Sequence, residues 1–304
     1  MDLMMKILIF GKNGQVGSAL VDAFENSYDE VIALDRFGID NLEADFTKPD
    51  NIENIIRRIR PDIIFNAVAY TAVDKAEIEP DLANLINCQT VETIANVCRD
   101  IDAFLVHYST DYIFDGSGDL PHNESSLPKP INVYGQSKLK GEYSVINSGC
   151  KFVIFRTSWV YSHIGHNFVK TIINLAHSRS TIDVVSDQIG TPTSAKFIAE
   201  KSVGIARKLL AYNMHMQGVY NLVPDGFISW SDFARCIIDY AKKYDNKLIL
   251  SSINDIKTSS YKSLALRPLN SKLDNTKIKK IIGKDQVKEW KFYLRQTIDH
   301  LYNI

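Results

Sequence analysis

The sequence lacks the features that mark several classes of protein. It has no basic excess, since 35 Lys and Arg stand against 36 Asp and Glu in 304 residues, for a formal net charge of −1. A general nucleic-acid-binding role is therefore not expected. The longest apolar runs, such as Ile7–Phe10, are far shorter than the roughly 18 residues that a membrane-spanning helix needs. No signal-peptide pattern opens the chain either, so we expect no membrane association.

Cysteine is also scarce. The chain has four cysteines, and none forms a C-x-x-C pair: Cys88, Cys98, Cys150 and Cys236. Three of them lie in apolar or helical stretches, so we expect buried, reduced thiols rather than disulfides or zinc ligands. Reduced thiols indicate a cytoplasmic protein.

The first half of the chain contains a regular alternation of strand and helix patterns. Short apolar runs predict strands at Lys6–Phe10, Glu30–Asp35, Asp62–Asn66, Ala103–Tyr108 and Phe152–Arg156. Between these runs, apolar residues recur at helical spacing, as in the segment 52–59. Repeated strand–helix–strand units predict an α/β fold with a Rossmann-type, doubly wound parallel sheet.

The second half has a looser pattern, with helices predicted near 166–178, 195–211 and 231–244. At roughly 150 residues per domain, the length indicates two domains, or one large α/β unit with an appendage. We expect a dinucleotide-binding domain at 1–157. We expect 158–304 to form mainly a smaller, partly interleaved α/β substrate lobe, with segments that can return to the first domain.

A glycine-rich loop directly follows the first predicted strand. Gly11, Gly14 and Gly17 form the pattern G-x-x-G-x-x-G before the first helix. Such a loop allows a tight turn, brings bare backbone N–H groups close to a pyrophosphate, and directs a helix N-terminus at the charge. Asp35 ends the second strand near the spacing of about 20 residues expected for an acid that binds the adenosine ribose. Arg36 follows and can instead hold a 2′-phosphate, so the choice between NADH and NADPH stays open.

Tyr134 and Lys138 form the pattern Y-x-x-x-K on a predicted helix at 132–147. Of the 14 tyrosines, Tyr134 is the one with a lysine four residues later, which places the two side chains on one face. A nearby ammonium group is expected to lower the phenol pKa from about 10, so that the pair can transfer a proton to or from a carbonyl or alcohol oxygen.

Polar residues also follow the fourth predicted strand, in the segment 107–112. Ligands of open α/β sheets bind beyond the carboxyl ends of the strands, where a hydroxyl can stabilise developing charge on the same oxygen. Ser109 and Thr110 both qualify, and the sequence does not choose between them. His163 and His166 form H-x-x-H without a third ligand, which favours loop or surface histidines.

Taken together, these residues resemble the extended short-chain dehydrogenase/reductase family, and most closely its dTDP-4-dehydrorhamnose reductase branch. The matching segments run in order along nearly the whole chain: Gly11–Gly17, Asn66–Asp74, Tyr108–Phe114, Asn132–Glu142, Arg156–Tyr161, Asp187–Thr193 and Arg267–Leu273. The resemblance implies reduction, by NADPH or NADH, of the C4 ketone of dTDP-4-dehydro-β-L-rhamnose to dTDP-L-rhamnose.

The resemblance also implies roles for individual residues. Tyr134 would be the proton donor, Lys138 would tune it and hold the nicotinamide ribose, and Thr110 would complete the catalytic set. The implied cofactor contacts are Gly14, Gln15 and Val16 at the pyrophosphate, Asp35, Asp45 and Phe46 at the adenosine, and Ala69, Tyr70, Thr71 and Tyr108 along the groove. The implied substrate contacts are Asp111 and Trp159 at the sugar and Arg267 at the diphosphate, which a planar guanidinium fits.

The sequence departs from related enzymes at two points. Sugar dehydratases carry an acidic pair after the catalytic threonine, whereas Tyr112 follows Asp111 here, which favours simple ketone reduction. Some family members hold Mg²⁺ between subunits through glutamates, whereas Val21 and Lys196 stand at the corresponding positions. Because a hard cation needs oxygen ligands, we expect no such metal site. The possible homodimer is therefore not supported by a metal ion bound between its subunits.

Three alternatives stay open at this stage. The chain can be a 4-ketoreductase for another nucleotide deoxysugar or an epimerase of the same superfamily, because the fold and the Tyr–Lys pair are common to all of them. The third alternative is a non-catalytic nucleotide-binding subunit, such as the regulatory subunit of methionine adenosyltransferase. The intact set of Thr110, Tyr134 and Lys138 argues against it.

Overall fold

The computed structural model describes residues 4–38, 42–211 and 217–303. The strands in chain order are β1 (Lys6–Phe10), β2 (Glu30–Leu34), β3 (Ile63–Asn66), β4 (Phe104–Thr110), β5 (Lys151–Thr157), β6 (Val160–Tyr161), β7 (Thr181–Val185), β8 (Ile189–Gly190), β9 (Thr193–Ser194), β10 (Gly218–Asn221), β11 (Ile228–Ser229), β12 (Ser252–Ile256) and β13 (Asn270–Ser271). The α-helices are α1 (Gln15–Phe24), α2 (Pro49–Ile59), α3 (Val73–Ala76), α4 (Pro80–Asn84), α5 (Thr90–Ile101), α6 (Val133–Asn147), α7 (Phe168–Ser178), α8 (Ala195–Ala211), α9 (Trp230–Ala241), α10 (Thr276–Ile282) and α11 (Trp290–Leu301).

The centre of the molecule is a parallel sheet with strand order β10-β5-β4-β3-β1-β2. The chain starts at β1, moves outward to β2, and then crosses to β3 on the other side of β1. The order therefore reverses between β1 and β3, which is where open α/β sheets bind their ligands. The four residues of β3 are all buried, as expected when helices cover both faces.

Two apolar clusters lie on opposite faces of this sheet. One joins β1, β3, β4 and β5 to Leu20 of α1 and Phe197 of α8. The other joins the same sheet to Ile56 of α2 and Ile94 of α5. Strand side chains alternate between the two faces, so consecutive residues such as Ile7 and Leu8 belong to different clusters. The predicted doubly wound, Rossmann-type fold is confirmed.

The second half of the chain builds a smaller α/β lobe on short sheets. β11, β8 and β13 form one sheet, β12 pairs with β7, and β6 pairs with β9. A third apolar cluster packs α7, α9 and α11 together around Phe233 and Trp290. β10 lies in the second half of the sequence but pairs with β5 of the large sheet. The domain boundary at 157/158 stays a prediction.

Several predicted elements have shifted ends. The strand predicted at 103–108 is Phe104–Thr110, so Thr110 is its last residue. The helix predicted at 231–244 is Trp230–Ala241, since residues 242–244 form turns. Along the described ranges, no helix is long and apolar enough to cross a bilayer.

Candidate active site

The glycine loop makes a closely packed turn between β1 and α1. Gly11 has φ +88°, a left-handed conformation that glycine adopts without strain. A Cβ on Gly17 would lie 1.9 Å from the Gly11 carbonyl oxygen, so only glycine fits there. Gly14 caps α1 without a side-chain hydrogen bond, which leaves the first helical amides to an anion. The loop fits the pyrophosphate of a dinucleotide, with Gln15 and Val16 in the first turn.

Asp35 and Arg36 lie beyond the end of β2, beside this loop. The Asp35 carboxylate accepts hydrogen bonds from the backbone amides of Phe37 and Gly38 at 2.8 and 3.1 Å and from the side-chain amide of Asn13. Lys12 Nζ lies 3.9 Å from Asp35 Oδ2. The Arg36 guanidinium lies over the Phe37 ring. Acidic and basic groups thus lie side by side at the place where the adenosine ribose is expected, and they do not decide between NADH and NADPH.

The other residues proposed for the adenosine differ in exposure. Asp45 accepts from the Thr47 amide and hydroxyl at 3.0 and 2.8 Å and is half-buried. The Phe46 ring is buried and packs edge-to-face on Phe10, with ring centroids 5.4 Å apart. Its side chain therefore belongs to the core, and any contact of Phe46 with a cofactor falls to its backbone.

The segment Ala69–Thr71 follows β3 and is held by a residue that the sequence analysis missed. The Asn87 side chain accepts from the Tyr70 amide at 2.8 Å and donates to the Tyr70 carbonyl and to Ser137 Oγ, both at 3.0 Å. Asn87 is completely buried within a π-helical turn, Leu85–Gln89. Its amide thereby fixes the loop against α6. The one sequence signal was a polar residue between apolar neighbours, which is too common to single out.

Thr110 and Tyr134 come together at the carboxyl end of β4. Burial raises the pKa of Tyr134 above its ordinary value, and a hydrogen bond with the Thr110 hydroxyl offsets only part of that shift. The Tyr134 ring also packs edge-to-face on Tyr112, with centroids 5.6 Å apart. Successive strand residues face opposite ways, so the interaction with Tyr134 favours Thr110 over Ser109 as a member of the candidate set.

Lys138 lies on α6, four residues after Tyr134, and contacts the end of β4. Its Nζ donates to the Tyr108 carbonyl oxygen at 2.6 Å, and burial lowers its pKa to about 8, partly offset by Glu142. The pKa of Tyr134 is raised rather than lowered, with desolvation as the largest cause, and Lys138 is not among the groups that shift it. The action of Lys138 on Tyr134 stays a prediction.

Asp111 directly follows Thr110 in the chain and contacts its side chain. Its Oδ1 accepts from Thr110 Oγ1 at 3.2 Å. Burial raises the pKa of Asp111 to about 7, with hydrogen bonds from Ser271 and Thr110 partly offsetting the shift. A carboxyl group with a pKa raised in this way can accept or donate a hydrogen bond to a sugar hydroxyl.

Arg267 and Trp159 approach the site from the smaller lobe. Arg267 Nη2 donates to Asp74 Oδ2 at 2.6 Å, and its Nη1 lies 3.4 Å from the Tyr112 hydroxyl. Through Tyr112, Arg267 is thus connected to the Tyr134 ring. Trp159 lies two residues beyond Thr157, whose register partner in β4 is Thr110.

A separate cavity of about 520 Å³ lies between α1, α8 and α11. Its lining includes Gln15, His163, Lys196 and His300 but none of the three catalytic candidates. His163 packs on the His300 ring, with centroids 4.0 Å apart, and His166 is exposed on the same loop.

The structure gives no support to the Mg²⁺ site of some relatives. Lys196 lies 4.0 Å from Glu200, so the charge there is already balanced. Val21 is exposed on α1 and offers no oxygen ligand. Within the described ranges, no three His, Cys, Asp or Glu side chains are grouped so as to hold a metal. These residues do not fit the ion.

The four cysteines are free thiols. Cys98 and Cys150 are buried, and burial raises the pKa of both. Cys88 and Cys236 are only partly buried, which corrects the expectation that the thiols are all inside.

Comparisons with known proteins agree with this geometry. The sequence model of the family described as "RmlD substrate binding domain" matches residues 5–303. The chain is 43% identical to a dTDP-4-dehydrorhamnose reductase of Salmonella typhimurium, over 91% of both chains. It is 40% identical to the Escherichia coli K12 protein of the same name, over 98% of both. A crystal structure of dTDP-4-dehydrorhamnose reductase from Bacillus anthracis in complex with NADP has a TM-score of 0.87 at 32% identity, covering 98% of this chain and all of that one.

Proposed function

The chain belongs to the RmlD substrate binding domain family, and from that membership we propose that it is a dTDP-4-dehydrorhamnose reductase. It uses NAD(P)H to reduce the C4 ketone of dTDP-4-dehydro-β-L-rhamnose, giving dTDP-L-rhamnose for polysaccharide precursor synthesis. The observation that carries the proposal is the meeting of Thr110 and Tyr134 at the carboxyl end of β4, in a sheet whose glycine loop fits a dinucleotide.

The reaction adds a hydride and a proton across the ketone. The bound nicotinamide cofactor supplies the hydride to C4. Tyr134 donates its phenolic proton to the ketone oxygen, and the Thr110 hydroxyl hydrogen-bonds the same oxygen. Because burial raises the pKa of Tyr134, the phenol stays protonated at neutral pH. That state suits the acid of a reduction.

Lys138 contributes a buried positive charge beside this centre. Its bond to the Tyr108 carbonyl fixes the ammonium at the end of β4, where it can also meet the nicotinamide ribose. The charge favours the phenolate that Tyr134 becomes after it gives up its proton. The ammonium therefore stabilises the product state of the proton transfer rather than the resting acid.

The substrate contacts form a second part of the proposal. Asp111, with a pKa raised by burial to about 7, hydrogen-bonds a sugar hydroxyl, and Trp159 packs against the sugar ring. Arg267 binds the diphosphate. Because its guanidinium already donates to Asp74, it must contact both the carboxylate and the diphosphate. The proposed cofactor contacts are the glycine loop, Asp35, Arg36, Asp45, the Phe46 backbone, Ala69–Thr71 and Tyr108.

The cellular location and the oligomeric state of the protein are also proposed. A cytoplasmic location is supported by the four free thiols, since the cytosol keeps thiols reduced. A homodimer stays a prediction from the family resemblance, and light scattering of the purified protein measures it directly.

The test is turnover of a defined set of nucleotide sugars. We expect NAD(P)H oxidation with dTDP-4-dehydro-β-L-rhamnose and formation of dTDP-L-rhamnose, identified by NMR of the product. A talose- or fucose-type product would favour another 4-ketoreductase, and a C-epimer formed without net cofactor oxidation would favour an epimerase. Absence of turnover with every keto sugar would favour the non-catalytic subunit.

A further inference from the structure

Trp159 adopts a backbone conformation that its side chain does not favour. Its φ of +48° lies in the left-handed region, where a bulky residue is strained and persists only when its surroundings hold it. Its carbonyl oxygen accepts from the Thr193 amide at 3.2 Å. The turn between β5 and β6 thus places the indole at the end of the sheet that carries Thr110.

Two residues hold the indole in that position. Trp230, the first residue of α9, stacks on Trp159 with ring centroids 3.6 Å apart and planes 12° apart. Gly190 of β8 lies so close that a Cβ there would be 2.6 Å from Trp159 Cε2. The two holding residues are themselves neighbours, because β11, which leads into Trp230, pairs with β8 through Ile228 and Gly190.

The Trp230 side chain packs against the apolar core of the smaller lobe. Its ring packs on Phe168 at 4.4 Å between centroids and contacts Phe233 at 6.2 Å, and Phe233 is completely buried. Ser229 caps the helix by accepting from the Asp232 amide at 3.0 Å. The position of the Trp159 indole is therefore set by the core of the smaller lobe.

We propose that Trp230 and Gly190 are positioning residues that fix the Trp159 indole as the wall against which the deoxysugar packs. The inference rests on the proposed function, in which Trp159 meets the sugar. The indole is a large, rigid apolar group, and the part of it that Trp230 and Gly190 leave uncovered meets the C–H groups and the methyl group of a 6-deoxyhexose. Trp230 holds that surface in place, and the absence of a side chain at Gly190 leaves room for it.

The test compares Trp230→Ala, Trp230→Phe and Gly190→Ala with the wild-type enzyme. We measure KM for dTDP-4-dehydro-β-L-rhamnose, the dissociation constant of dTDP-L-rhamnose by calorimetry, and the dissociation constant of NADPH. Trp230→Ala and Gly190→Ala should weaken both sugar constants about three- to tenfold, the size of an aromatic packing contact, and leave NADPH binding unchanged. Trp230→Phe, which keeps an aromatic ring, should remain close to wild type.

Trp290→Phe is the matched control. Trp290 belongs to the same apolar cluster but packs edge-to-face on Phe233, at 5.6 Å between centroids. Stacked indoles also give an exciton couplet in far-ultraviolet circular dichroism. We expect the couplet in the wild type and in Trp290→Phe and its loss in Trp230→Phe, which shows the stack independently of catalysis.

Two results would overturn the inference: a wild-type spectrum without the couplet, or unchanged sugar constants in both Trp230→Ala and Gly190→Ala. Failure of the proposed function looks different. In that case the wild-type enzyme would not reduce the keto sugar at all, while calorimetry with dTDP-L-rhamnose and the couplet would still report on the stack.

Discussion

At the scale of single residues, the account depends most on the phenol of Tyr134. Tyr134→Phe removes the proton donor but keeps the ring that packs on Tyr112. We expect kcat to fall about 10²- to 10⁴-fold, the usual contribution of a positioned acid, with an unchanged dissociation constant for NADPH. Tyr143→Phe, on the exposed side of the same helix, is the control and should keep full activity. Normal kcat in the Tyr134→Phe variant would exclude Tyr134 as the acid.

The pKa of Lys138 predicts the alkaline side of the pH profile. Burial depresses this base to a pKa of about 8, so the ammonium is present below that pH and lost above it. The profile of kcat/KM for NADPH, which reports on the free enzyme, should therefore fall as pH rises through about 8. The Tyr134 phenol, with its pKa raised by burial, titrates at higher pH. A profile that stays level through this range would contradict the role of the Lys138 charge.

At the scale of elements, α6 is attached to the sheet by a buried ion pair. Arg156 Nη2 of β5 lies 2.7 Å from Glu142 Oε2, with both side chains almost wholly buried. Glu142→Gln leaves the guanidinium without its charge partner and should lower the free energy of unfolding by about 3–5 kcal/mol, measured by urea denaturation. It should also move the alkaline limb of the pH profile to lower pH, because Glu142 raises the pKa of Lys138. Glu53→Gln, at an exposed pair with Arg57, should hardly change stability.

The junction of β1 and α1 allows a second test at this scale. Gly17→Ala places a methyl group 1.9 Å from the Gly11 carbonyl, so the loop must open. We expect NADPH binding to be lost or strongly weakened. Gly204→Ala in α8 meets nothing within 4 Å and should stabilise the helix by about 0.5–1 kcal/mol, with normal NADPH binding. Equal NADPH affinities in the two variants would contradict the fit of the loop to the pyrophosphate.

The sequence was most informative where a local pattern carries its own physical cause. Apolar runs and helical spacing predicted five of the six strands of the large sheet, all except β10, and the glycine spacing predicted the turn at β1. The sequence could not show that the Tyr134 phenol is desolvated, since that depends on packing between β4, α6 and the smaller lobe. Asn87, Trp230 and Asp74 were missed for the same reason. Their partners Tyr70, Trp159 and Arg267 lie far away or in another element.

At the scale of the whole molecule, the two halves of the chain contribute different residues to the proposed active site. The large sheet provides the dinucleotide loop and the set Thr110, Tyr134 and Lys138. The smaller lobe provides Trp159 and Arg267 at the same edge. Because β10 returns to the large sheet beside β5, the lobe is attached to the sheet that carries the proposed catalytic residues. That arrangement fits an enzyme that binds a cofactor on one part and a nucleotide sugar on the other.

The most direct measurement follows the hydride itself. The purified enzyme is mixed with dTDP-4-dehydro-β-L-rhamnose and with NADPH in which both hydrogens at the nicotinamide C4 are replaced by deuterium, and the product is analysed by NMR and mass spectrometry. The account predicts dTDP-L-rhamnose with one deuterium at C4 of the sugar, formed in proportion to the NADPH oxidised. A product without deuterium at C4, or no product at all, would contradict it.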